Sequence, residues 1–143
     1  MIERKGNLYI PQRIIEHDYI GFTANSVIKS NGALVMGAGA AKVVRDWIKD
    51  IDLKLGAKIT PGKDYYIIRE GNIFAFQTKR HWSEDTPLDL LSKSIDLLDK
   101  SARKFPSKTF ALNFPAIGHG GIKKELVLAM SKDLPDNVFY YSL

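Results

Sequence analysis

Two glycine-rich segments, VMGAGAAK at Val35–Lys42 and PAIGHGGI at Pro115–Ile122, constrain this chain more than any other feature of its sequence. The first leads directly into a helical pattern. The second follows a strand-like run, Thr109–Phe114, and precedes a further helical pattern. Glycine loses more backbone entropy on folding than any other residue, so Gly118, Gly120 and Gly121 together are costly for a plain turn. A cradle of backbone amides for phosphate accounts for them better. The first loop is less specific: Gly37 and Gly39 equally suit an anion held at a helix N-terminus or close packing of the chain as it turns. Neither segment carries the Walker lysine-serine pattern or a G-x-G-x-x-G with an acidic ribose partner, which disfavours those nucleotide folds.

The flanking periodicities give the architecture. Ile20–Ala24 is an apolar run of strand length, broken by the polar, glycine-containing stretch Ser26–Gly32. From Ala40 the apolar positions Val43, Val44, Trp47, Ile48 and Ile51 follow helical spacing, predicting one helix that stops before Gly56. Tyr65–Ile68 and Ile73–Gln77 are rich in β-branched and aromatic residues, and Glu70, Gly71 and Asn72 between them predict a hairpin. Thr86 as hydroxyl cap, Pro87 at the first position and Asp89 in the first turn predict a helix start. Leu88, Leu91, Ile95, Leu98 and Ala102 give that helix one buried stripe, opposite Lys93, Asp96 and Lys100. Glu125–Leu134 reads as a short helix and Val138–Tyr141 as a last strand. Strands alternating with helices predict an α/β sheet covered on both faces, with one antiparallel hairpin inside it and ligands bound beyond the strands' carboxyl ends.

Length and composition narrow the class. At 143 residues, with no repeat or linker-like tract, a single domain over residues 1–143 is expected, burying roughly 70% of its unfolded surface. Hydrophobic residues at 45% and charged residues at 26% exclude disorder. No apolar run reaches bilayer-spanning length and Met1–Arg13 lacks a secretory pattern, so no membrane partner and a cytoplasmic location are expected. The absence of cysteine removes disulfides, thiolate metal sites and cysteine nucleophiles. His17, His81 and His119 are too scattered for a metal site, so neither metal nor cofactor is expected. A net charge of +5 favours anionic partners only weakly, solubility alone being sufficient reason for it.

With these residues in order, the chain resembles the macro domain family, whose members bind ADP-ribose in a three-layer α/β/α fold with a mixed central sheet. TANSVIKSNGALVMGAGAAK, Thr23–Lys42, looks like the family's strand, asparagine and first glycine loop, and FPAIGHGG, Phe114–Gly121, like its second. FQTKRHW, Phe76–Trp82, resembles the F-P-T-K-x-H-W stretch of macro domains that remove ADP-ribose from DNA bases. KGNL, Lys5–Leu8, resembles K-G-D-[IL], with Asn7 where the family's aspartate holds the adenine amino group. An amide oxygen can accept that bond only without charge assistance, so the contact is expected to be weaker. Phe22 replaces the first asparagine of V-N-x-x-N, and Ile122 stands where related glycohydrolases carry an acid.

The resemblance implies an ADP-ribosyl hydrolase acting on ADP-ribose or an ADP-ribosylated macromolecule, DNA or protein. Catalysis would fall to Lys79, which attacks the anomeric carbon or stabilises charge as the glycosidic bond breaks, and to Asn25, which positions a ribose hydroxyl or water. A nucleophilic amine must lose its proton, and burial or the adjacent Arg80 would favour that. Ligand contacts are expected from Asn7, Leu8, Ala24, Gly37, Ala38, Gly39, Ala40, Pro115, Gly118, His119, Gly120 and Gly121. Set against these roles, Lys79 reads equally as a solvated surface lysine, Asn25 as a polar cap on its own loop, and His119 as a loop-shaping residue. His81 and Trp82 are expected to pack beside the lysine. Alternative functions are a non-catalytic ADP-ribose-binding module, an ADP-ribose 1″-phosphate phosphatase, and, on charge alone, a nucleic-acid-binding domain.

Overall fold

Successive side chains along a strand point to opposite faces, and in this protein's inner strands both sets are apolar, which demands a covered layer on each side. The computed structural model describes residues 1–143. Its strands are β1 (Ile2–Lys5), β2 (Tyr19–Ala24), β3 (Ile67–Glu70), β4 (Ile73–Gln77), β5 (Phe110–Asn113) and β6 (Val138–Ser142). Its helices are α1 (Pro11–Ile14), α2 (Gly39–Trp47), α3 (Ile51–Gly56), α4 (Leu88–Lys104) and α5 (Lys124–Met130). Ile73, Ala75, Ala111, Phe139 and Tyr141 face one core with Ala41 and Val44 of α2 and Ile51 and Leu55 of α3. Phe74, Phe76, Phe110, Leu112, Val138 and Tyr140 face the other, with Leu91, Ile95 and Leu98 of α4 and Val127 of α5. The result is the expected three-layer α/β/α arrangement.

The six strands form one sheet in the order β1-β6-β5-β2-β4-β3. All neighbours are parallel except β3 and β4. The expected antiparallel hairpin, β3–β4, is part of the sheet and lies at one edge of it. The edge strand β1 was not anticipated, because all four of its residues are exposed and IERK shows no apolar alternation.

Three local expectations are corrected. The helix expected from Ala40 to Gly56 is broken in two: Ile48 is extended and Asp50 is left-handed, with φ of 61°. The break brings Ile51 and Leu55 into the core and sets Gly56 against the preceding loop, where a Cβ would lie 2.0 Å from the Gly32 carbonyl oxygen. Trp47, at the end of α2, is 46% exposed. At the start of α4, Thr86 makes no capping bond; its hydroxyl is buried without a partner, while its main-chain amide donates to the Gly120 carbonyl at 2.8 Å. Leu88 is exposed, and Leu90 and Ser94 join the buried stripe in its place. No helix is long and apolar enough to cross a membrane.

Candidate functional site

The strands β2 and β5 are neighbours, yet their pairing covers only Tyr19 with Phe110 and Ile20 with Ala111. Beyond that point side chains replace the ladder. Asn113 Oδ1 accepts the Thr23 amide at 3.0 Å, and Asn113 Nδ2 donates to Thr23 Oγ1 at 2.9 Å. The Tyr9 hydroxyl lies 2.8 Å from the Gly21 carbonyl oxygen and 3.1 Å from Asn113 Oδ1. Burial holds that phenol far above its ordinary pKa, so it stays protonated as a donor. The chain leaving β2 then passes to α2 on one face, whereas the chain leaving β5 passes to α5 on the other. Such a point of divergence opens a crevice at the carboxyl ends of the strands. Both glycine loops therefore rise from adjacent strands at one edge.

In the first loop, Gly37, Ala38 and Gly39 are exposed, and Ala40 is partly so. The amides of Gly37 through Ala41 donate to no protein acceptor; the first helical bond runs from Lys42 to Ala38 at 3.2 Å. No side chain caps α2 and no carboxylate sits in its first turn, which leaves its positive end open. Asn25, just beyond Ala24 at the end of β2, is tied into this loop. Its Oδ1 accepts the Val27 amide at 3.0 Å and its Nδ2 donates to the Val35 carbonyl at 3.2 Å, leaving one amide hydrogen for anything else.

In the second loop, Pro115 and Ala116 are buried while Gly118, His119 and Gly121 are exposed. Gly118 and Gly121 have φ of 71° and 74°, a conformation that favours glycine. A single 3-10 turn over Gly118–Gly120 is closed by the Gly121 amide donating to the Gly118 carbonyl at 3.1 Å. The amides of Ile117, Gly118, His119 and Gly120 donate to no protein acceptor. Thus each loop presents a row of free N–H groups to the crevice edge, a pattern suited to a poly-oxygen anion.

Lys79 enters from β4, on the far side of β2. The amides of Thr78 and Lys79 both donate to the Ala24 carbonyl, at 2.9 and 3.3 Å. The fully buried Gln77 carries this junction: Oε1 accepts the Tyr65 and Tyr66 amides at 2.8 and 3.0 Å, and Nε2 donates to Asp64 and to the Lys79 carbonyl. Lys79 Nζ donates to the His119 carbonyl at 3.1 Å and lies 3.4 Å from that of Trp82. It is thereby held against the second loop, with no carboxylate paired to it. Arg80, expected to press on Lys79 as a neighbouring cation, is instead turned to Asp64 and Asp89, 3.0 and 3.4 Å away. Those bonds, chiefly from Asp64, raise the guanidinium pKa further. His81 stacks on Trp82 at 4.6 Å, and Trp82 is 57% exposed beside the lysine.

On the opposite flank, β1 runs parallel to β6, so Asn7 and Leu8 also emerge at this edge. Leu8 is buried beneath it and Asn7 is exposed. Asn7 Oδ1 accepts the Tyr9 amide at 3.0 Å, and the Asn7 main-chain carbonyl accepts from Arg13 at 2.6 Å. Ile122 packs against the α4–α5 core and supplies no acid. No group of three or more His, Asp or Glu side chains is gathered to hold a metal ion. A separate apolar cavity of about 260 Å³, lined among others by Tyr19, Phe74, Leu98 and Phe110, lies at the other end of the strands and has no part in this edge.

The sequence reading missed Tyr9, Gln77 and Asn113. The one available sign was polarity at the last position of an apolar strand, as in FALN and IFAFQ.

No family model matches the sequence, and no curated protein matches it. Solved structures do. The macrodomain of Thermus aquaticus DarG aligns with a TM-score of 0.73 at 20% identity, over 99% of this chain and 97% of that one. The macrodomain of Mycobacterium tuberculosis DarG aligns with a TM-score of 0.69 at 21% identity, over 99% and 98%. Thermosipho africanus DarTG, solved in complex with ADP-ribose, gives 0.71 at 20% identity, over all of this chain and 42% of that one. With the sheet order, the two helical layers and this coverage in agreement, the chain has the macrodomain fold.

Proposed function

We propose that the chain binds ADP-ribose across the β2–β5 crevice and hydrolyses ADP-ribosyl linkages. The observation that carries this reading is the pair of loops at the carboxyl ends of neighbouring strands whose amides, Gly37 to Ala41 and Ile117 to Gly120, have no partner within the protein. Nine unsatisfied donors at one edge match a diphosphate's oxygens, and the open N-terminus of α2 adds its dipole. A similar structure, Thermosipho africanus DarTG, holds ADP-ribose. In this reading the ligand also meets Asn7 and Leu8 at one end and Ala24, Asn25 and Lys79 at the other, with Pro115, His119 and Gly121 shaping the second loop.

In this reading Lys79 acts on the distal ribose, which its hydrogen bond to the His119 carbonyl supports by holding it beside the second loop. Its ammonium group supplies a positive charge beside the departing group as the glycosidic bond breaks, the role that preorganised donors fill most effectively. Asn25 acts by positioning, through its remaining amide hydrogen. The exposed Trp82, backed by His81, offers a face on which a nucleobase stacks, which favours ADP-ribose linked to a nucleic-acid base as substrate.

A binding-only module is the second reading, favoured by the apolar Ile122 and by the lack of any carboxylate paired to Lys79. Incubation with ADP-ribosylated single-stranded DNA and with ADP-ribosylated protein separates the two. Release of ADP-ribose from either establishes hydrolysis. Binding of free ADP-ribose without release from any substrate leaves the binding module, and no binding in calorimetry at high micromolar concentration removes both.

A further inference from the structure

The sheet order sets a direction for any ligand whose diphosphate occupies the β2–β5 crevice. One end lies toward β4 and Lys79; the other crosses β6 toward β1, about 12 Å away at the usual strand spacing, which is the length of a nucleoside. The groups waiting there are Asn7 and Arg13.

Their chemistry is one-sided. Asn7 Oδ1 accepts the Tyr9 main-chain N–H at 3.0 Å, a bond only the oxygen end of the amide can make. The amide orientation is thereby fixed, and Nδ2 points outward, donating to no protein acceptor. Arg13 Nη1 donates to the Asn7 carbonyl at 2.6 Å, and its guanidinium lies so close over Gly6 that a Cβ there would be 2.6 Å from Nη1. The carboxylate on the adjoining segment, Glu16, is engaged with Arg4 at 2.8 Å. An incoming base edge thus meets two outward donors, with the Asn7 oxygen turned back to the Tyr9 amide. On its N7 edge adenine brings an amino donor and N7 as its one acceptor. A 6-oxopurine brings two acceptors to that edge, O6 and N7, which match both donors.

We propose that the nucleobase end of this cleft accepts a 6-oxopurine diphosphoribose at least as well as ADP-ribose, and that Asn7 is the residue that sets this. The inference rests on the ADP-ribose-binding reading above. An aspartate at position 7 would keep one oxygen on the Tyr9 amide and present the other as a charged acceptor, restoring preference for an amino group. A charge-assisted bond of that kind is worth about 1.5–3 kcal/mol, a factor of about tenfold or more.

The test is calorimetric titration of the wild-type chain and of Asn7→Asp with ADP-ribose and with IDP-ribose, its hypoxanthine analogue. The expected result is a wild-type Kd for IDP-ribose no more than about threefold above that for ADP-ribose, and a shift of the ratio toward ADP-ribose of about tenfold in Asn7→Asp. A wild-type preference for ADP-ribose beyond threefold, or a ratio unmoved by Asn7→Asp, overturns the inference while leaving diphosphoribose binding intact. Binding of neither ligand by either protein overturns the underlying reading instead.

Discussion

Asn113 and Thr23, 90 residues apart in sequence, are joined by two hydrogen bonds in which the Asn113 amide replaces the main-chain ladder between β5 and β2. The substitution of side chain for backbone lets the strands separate at their carboxyl ends without leaving the Thr23 amide unpaired, and the crevice opens where they part. Asn113→Ala removes both bonds and the neighbour of the Tyr9 hydroxyl. A loss of about 2–3 kcal/mol in urea denaturation is expected, since the stranded groups are partly buried. Asn113→Asp, which keeps the acceptor for Thr23, should recover part of it.

Lys79 is fastened to the second loop through the His119 carbonyl. Lys79→Ala should slow release of ADP-ribose from a modified oligonucleotide by about 100-fold or more, in the range for loss of one preorganised charged donor. The affinity for free ADP-ribose should change by less than about threefold, because the diphosphate is held by main-chain amides. A parallel loss of affinity and rate would show that the lysine binds the ligand and performs no part of the chemistry.

Gly118 has φ of 71°, and a Cβ built on it meets no atom within 4 Å. Gly118→Val therefore costs about 1–2 kcal/mol of backbone strain and projects its branch into open space beside the free amides. More than about tenfold weaker ADP-ribose binding is expected, from obstruction of the cradle. Gly71→Val supplies the control: φ there is 61°, its Cβ is equally unobstructed, and it lies in the β3–β4 turn away from the loops. Thermal melts should report comparable destabilisation in both, with binding lost only in Gly118→Val.

His17 is buried with Nε2 2.8 Å from the Tyr141 hydroxyl and Nδ1 without a partner. Burial, with help from Arg4, lowers its pKa below the ordinary histidine value. In the unfolded chain histidine takes up its proton near pH 6.5, while the folded chain resists it until lower pH. The unfolded state therefore binds more protons in that interval, and stability falls as pH drops below about 6.5. His17→Phe, which keeps the aromatic contact with Phe139, should flatten this slope between pH 7 and 5 in denaturation curves.

The core of α4 was legible because its information is local: Leu91, Ile95, Leu98 and Ala102 repeat at helical spacing and all are buried. The hairpin was legible for the same reason, through its turn residues. The break between α2 and α3 was not, because the apolar spacing runs on through Ile48 and Ile51 while the chain turns at Asp50, a non-glycine residue held at a left-handed φ of 61°. Thr86 illustrates the same limit. A hydroxyl before proline suits a helix cap, yet docking of its amide on Gly120 decided its place.

By itself the sequence determined the alternation of strands and helices, the two apolar faces and the two glycine loops, since each follows from periodicity or from the conformational demands of a few adjacent residues. Only the tertiary structure decided which strands are neighbours, and with them that the loops share one edge, that Lys79 rests on His119, and that the Asn7 amide turns its nitrogen outward. Those relations are made by parallel pairing and side-chain hydrogen bonds between segments far apart in the chain, and no local pattern encodes them.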